Sequence, residues 1–64
     1  MTLSEALQKA KELGIEVRIA QPTSRAMTSD MQHCFTEHWG DHNGSADKAT
    51  VRVIERVIEK GNKP

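Results

Sequence analysis

The chain contains no tyrosine, one phenylalanine and one tryptophan, so aromatic side chains make up 3% of its 64 residues. Little is left for lining a ligand cavity, because such cavities are built mostly from apolar and aromatic groups and hold about 300 Å³ or more. There is one cysteine, Cys34, so an internal disulfide is excluded. There is no excess of charge, because nine basic residues balance nine acidic ones. A neutral chain gains no long-range pull toward phosphate, which disfavours strong non-specific nucleic-acid binding. No apolar run approaches the roughly 20 residues a membrane-spanning helix needs. The opening Met1-Thr2-Leu3-Ser4-Glu5 lacks the basic region and apolar stretch of a secretion signal. With a free cysteine, these absences lead us to expect a cytoplasmic protein without a membrane association. Phosphate-cradling glycine loops, His-Glu-x-x-His and Gly-x-Ser-x-Gly are also missing. The expectation is therefore a protein that is not an enzyme, with no small-molecule substrate and no cofactor.

A chain of this length buries only about 60% of its unfolded surface, and domains this small usually need a staple. With the disulfide excluded, a metal or a second subunit remains. The apolar residues that are present recur at regular intervals, which argues against disorder.

Thr2-Leu3-Ser4-Glu5 has capping-box spacing, and Leu3, Ala6, Leu7, Ala10 and Leu13 follow at helical intervals up to Gly14. This predicts a helix over 3–13. Ile15-Glu16-Val17-Arg18-Ile19 alternates strictly and predicts a half-buried strand over 15–19, ended by Pro22. Met27, Met31, Cys34, Phe35 and His38 lie at steps of four, three, one and three. On a helix they share about a quarter-turn, which predicts a second helix over 24–39, stopped by Gly40. Ser45 caps a third helix over 45–60, in which Ala49, Val51, Val53, Ile54, Val57 and Ile58 cover an arc of about 200°. Val51-Arg52-Val53 also suits a strand. The expected fold is thus a single, mainly α-helical domain of three helices with one short strand, in the order α-β-α-α. The unpaired strand and the surplus apolar surface of the last helix both point to a homodimer.

Every histidine, the cysteine, the phenylalanine and the tryptophan fall within His33–His42. If residues 24–39 are helical, Cys34 and His38 share one face, and His42 folds back as a third zinc ligand beyond Gly40. The simpler reading of Cys34 is a small apolar core residue. The same Cys34–His38 pair has the composition of a thiolate–imidazolium couple, but an oxyanion hole and a substrate cleft are hard to build at this size. His33 and Glu37, four apart, read as a solvated helix surface. Trp39, at a helix end, suits either the core or an interface.

Residues 15–60 run strand, helix, Gly/Asn-rich turn, helix. With the alternating Ile15–Ile19 segment, Pro22, the Gly44-Ser45 helix start and the Val/Ile-rich helix from Ser45, this order resembles the ribbon-helix-helix family of DNA-binding dimers. The resemblance implies two strands paired across a dimer axis. It would aim Glu16, Arg18 and Gln21 at the major groove and place Ser45 at phosphate.

The leading expectation is a small regulatory or interaction protein that binds a protein partner, as a homodimer, through Phe35, Trp39, Ile54 and Ile58. A ribbon-type DNA-binding regulator is the alternative, with Glu16, Arg18, Gln21 and Ser45 at nucleic acid. A zinc-stapled interaction module through Cys34, His38 and His42 is the third.

Overall fold

A computed structural model describes residues 1–61. The elements are α1 (Leu3–Glu12), β1 (Glu16–Ala20), β2 (Thr23–Met27), β3 (Cys34–His38) and α2 (Ala46–Gly61), with a 3-10 turn over Trp39–His42. The strands form one antiparallel sheet in the order β1-β2-β3. The described residues therefore hold two α-helices and a three-stranded sheet, α-β-β-β-α, in place of the expected three helices and single strand. The correction falls on residues 24–39, which form β2, a turn and β3.

Local chemistry explains the correction. β2 pairs with β1 across the short Gln21-Pro22 turn, in a register that sets Val17 opposite Ala26 and Ile19 opposite Ser24. The inward positions of β2 are Ser24 and Ala26, both fully buried. Small residues there let α2 lie close to the sheet, but they carry no apolar alternation for a sequence to show. Thr28-Ser29-Asp30 folds as a turn and does not start a helix. Asp30 Oδ1 accepts the Thr28 hydroxyl and the Gln32 N–H, and the Thr28 N–H donates to the His33 carbonyl at 2.9 Å. Met31 sits there at φ 62°, a left-handed conformation outside any right-handed helix. Met27 and Cys34 become cross-strand partners on the sheet, so their seven-residue spacing reflects a hairpin and not two helical turns.

The flanking helices follow their sequence signals closely. The Thr2 hydroxyl accepts the Glu5 N–H at 3.2 Å, and the Thr2 N–H donates to Glu5 Oε1 at 2.9 Å, which closes the capping box. Gly14 takes φ 71° beyond the helix end. The Ser45 hydroxyl accepts the Lys48 N–H at 3.1 Å and caps α2. Residues 51–53 are helical.

Both helices pack on one face of the sheet. Ala6 and Ala10 of α1, Ile15, Ala26 of β2, and Val53, Ile54 and Val57 of α2 form one buried cluster, with Val17, Phe35, Val51 and Ile58 packed against it. Alanines at the crossing permit close approach of the two helices. The wide apolar arc of α2 is thereby divided between α1 and the sheet within one chain. Both observations that pointed to a dimer, the lone strand and the surplus apolar surface, are accounted for inside the monomer.

Candidate functional site

Alternation along the strands sorts their side chains into a covered and an open face. Val17, Ile19, Ser24, Ala26, Phe35 and Glu37 point toward the helices. Glu16, Arg18, Arg25, Cys34, Thr36 and His38 lie on the open face, where all six are exposed. Arg18, Arg25 and Thr36 occupy one register row across the three strands. Glu16 sits beside Arg18 on its own strand, with Arg18 Nε 3.1 Å from Glu16 Oε1. Arg25 Nη2 donates to Cys34 Sγ at 3.3 Å. The hydrogen bond to Cys34, then its charge, pushes the Arg25 guanidinium pKa further up.

The covered face holds a charge cluster at its β3 edge. Glu37 receives His42 Nε2 at 2.8 Å on one oxygen and Arg56 Nη1 on the other. Arg56 also lies over the Phe35 ring, 4.6 Å from its centroid. Burial pushes the Glu37 carboxyl upward, but the hydrogen bonds from His42 and Arg56 and their charges outweigh it and hold the group below the usual carboxylate range. This cluster ties β3 to α2 and to the 3-10 turn. Next to it, an open groove of about 400 Å³ runs between Met1 and Leu3 on one side and Asp47, Lys48, Val51, Arg52 and Glu55 on the other, with His42 at its edge. The groove exceeds what the shortage of aromatics suggested, because aliphatic and long charged side chains line it.

The residues considered for zinc do not converge. Cys34 and His38 lie at opposite ends of β3, about 13 Å apart at strand spacing. His42 is engaged with Glu37 on the covered side. Among the described residues, no three His, Cys, Asp or Glu side chains are grouped to hold a metal ion. Helical spacing is what had joined Cys34 to His38, and β3 removes it. His33 lies in the turn before β3 and does not meet Glu37 as a helical neighbour.

The residues considered for a protein partner are brought together, but inward. Ile54 is 0% exposed, and Phe35 and Ile58 are half-buried against the core. Trp39 is half-buried, and its indole N–H donates to the Ser24 hydroxyl at 3.0 Å. Of the nucleic-acid candidates, Glu16 and Arg18 share the open face, Gln21 is exposed in the β1–β2 turn, and Ser45 is spent on capping α2.

Two features were not read from the sequence. One is the Arg25 partner to Arg18, hidden because residues 23–27 showed no strand signal. The other is the flank formed by α1 and β1. Among the described residues the large exposed apolar side chains are Met1, Leu7, Leu13, Ile19 and Met31, and all but Met31 belong to residues 1–19. β1 is an edge strand, so half of its backbone groups are unpaired in the sheet. Ile19 points to the helix side yet remains 51% exposed.

No protein-family model matches this chain, and no curated protein or solved structure matches it. Among the described residues, no helix is long and apolar enough to cross a membrane.

Proposed function

We propose that this is a small, non-enzymatic interaction protein that engages a protein partner through the flank of α1 and β1. The observation that carries the reading is that Leu7 of α1, Leu13 after it and Ile19 of β1 are exposed apolar side chains, and that β1 is the edge of the sheet. Strand addition uses both features: backbone hydrogen bonds supply affinity and alternate side chains supply selectivity. An exposed free thiol at Cys34 is consistent with a reducing cytoplasm, where we place the protein. The test is a photo-crosslinking residue at Leu7, compared with one at Thr36 on the open face, in cells producing the full chain. The expected result is a discrete protein adduct from Leu7 and none from Thr36. Equal or absent adducts at the two positions would remove the reading.

A second reading rests on the row of Arg18, Arg25 and Thr36 across an uncovered sheet face, since sheets enter nucleic-acid grooves in some binding proteins. Anisotropy titration with duplex and single-stranded oligonucleotides at low salt tests it. Binding that Arg25→Ala weakens without loss of folding supports it. No binding at low salt, where phosphate contacts are strongest, ends it.

A further inference from the structure

The edge strand carries its own complement. Ile15-Glu16-Val17-Arg18-Ile19 is a chemical palindrome about Val17: apolar residues stand at the centre and both ends, with one acid and one base between them. Lay a second copy antiparallel against it with the two-fold axis at Val17. Ile15 then faces Ile19 of the second copy, Val17 faces Val17, and each Glu16 faces an Arg18.

We propose that the partner of the β1 edge is a second copy of this chain, joined strand to strand through Val17 into a six-stranded sheet. This inference rests on the protein-docking reading above and names its partner. Three observations carry it. β1 is a sheet edge with one free side. Ile19, which belongs on the covered face, is half-exposed and meets the apolar Ile15 of the second copy in this pairing. Glu16 and Arg18 are both exposed on the open face, and the 3.1 Å contact each copy makes between them can be exchanged, one for one, for a contact across the axis.

The alternatives are poorer. A two-fold axis at Arg18 sets two arginines directly opposite each other, which is destabilising. The other edge, β3, is not self-complementary: an axis at Thr36 sets Phe35 opposite Glu37, and Glu37 is already held by His42 and Arg56. The ladder is short, because Ile15 lies just before β1 and its N–H is already held by the Ala10 carbonyl at 2.8 Å, so the interface is small and the dimer is concentration-dependent.

The charge pairs make the proposal testable without touching the core. Sedimentation of the full chain from low micromolar to about 1 mM should show conversion from the 7.1 kDa monomer to a species of twice that mass. Glu16→Arg alone, or Arg18→Glu alone, sets like charges opposite each other at two places and should weaken association about tenfold or more. The double exchange Glu16→Arg with Arg18→Glu restores the palindrome and should recover association to within about threefold of the parent. Circular dichroism should be unchanged in all three, because both side chains are exposed. A chain that stays monomeric throughout, or a double exchange no better than either single one, overturns the dimer. If the chain is monomeric while the Leu7 crosslinker captures a different protein, the dimer fails and the docking reading stands. If neither association nor an adduct is seen, both fail.

Discussion

The indole N–H of Trp39 donates to the hydroxyl of Ser24 at 3.0 Å, joining the end of β3 to the start of β2 beneath α2. The same hydroxyl lies 2.8 Å from Thr50 Oγ1 on α2. Ser24 and Thr50 are both fully buried, so one small hydroxyl links a strand, the 3-10 turn that follows β3 and a helix. A hydroxyl has one proton to give and two lone pairs to receive, which suits a group placed between an indole donor and a second hydroxyl.

Ser24→Ala should therefore cost about 2 kcal/mol, because it leaves the Thr50 hydroxyl and the Trp39 N–H without their partner in a buried site. Denaturant unfolding measures the loss, and Trp39, the chain's one tryptophan, reports the local change through its emission. A loss under about 0.5 kcal/mol would place Ser24 among ordinary surface substitutions and refute the linking role.

Glu37 gives the fold an acid-sensitive tie. Its side chain is 15% exposed and its carboxyl is held below its ordinary pKa of 4.5, the bonds from His42 and Arg56 overriding the cost of burial. A carboxylate whose folded pKa is depressed contributes stability that is fully present above its unfolded pKa. That contribution is lost as pH falls through the folded pKa. Glu37→Gln should lose about 1–3 kcal/mol at neutral pH, since it leaves Arg56 and His42 without a charged acceptor. The gap between parent and variant should close as the pH falls below about 4.5. A gap that stays constant into acid would show that the carboxylate charge is not what joins β3 to α2.

Gly14 separates α1 from β1 at φ 71°, a conformation that achiral glycine adopts freely and L-residues rarely adopt. A Cβ placed there would meet only Ser29 Oγ, at 3.8 Å, which is ordinary contact. Any cost of substitution is thus conformational and not steric. Gly14→Ala should destabilise by about 1 kcal/mol, and Gly14→Asn by less, because asparagine tolerates the left-handed region. Thermal melts of the two variants supply the comparison. Equal costs for alanine and asparagine would contradict a conformational origin.

The parts of this fold that were legible in the sequence are those fixed by local contacts. The capping box at Thr2 and Glu5, the stop at Gly14, the alternation of Ile15–Ile19 and the cap at Ser45 each act within a few residues. The middle of the chain was not legible, because its strand signal is inverted. Ser24 and Ala26 face the core, and Met27 and Cys34 face away from it, so the apolar side chains of 23–38 lie at helical intervals by coincidence. The tertiary fit of small residues beneath α2 decides for strands together with the Thr28–His33 turn, and the fit of Ser24 and Ala26 leaves no periodic pattern in the sequence. The zinc grouping of Cys34, His38 and His42 depended on the same helix and dissolves with it. Arg18 lies on the open face of β1, and Arg25 beside it is placed there only by the register of β2.

Ile54 and Ile58 allow the roles of α2 in folding and in binding to be separated. Both lie on its apolar arc, but Ile54 is fully buried between α1 and the sheet, while Ile58 is only half-buried at the margin of the cluster. Ile54→Ala removes three carbons from the centre of a small core and should cost about 2–5 kcal/mol. For a domain with total stability near the low end of about 5–15 kcal/mol, that is enough to unfold much of the population. Ile58→Ala should cost clearly less, because part of the side chain is already in water. The two are compared by urea unfolding at matched concentration, with the midpoint falling much further for Ile54→Ala. If Ile58→Ala proved as costly as Ile54→Ala, the margin of the cluster would be as well packed as its centre. If partner adducts at Leu7 vanished in Ile58→Ala while its unfolding midpoint hardly moved, the contact surface would extend from the flank of α1 and β1 onto α2.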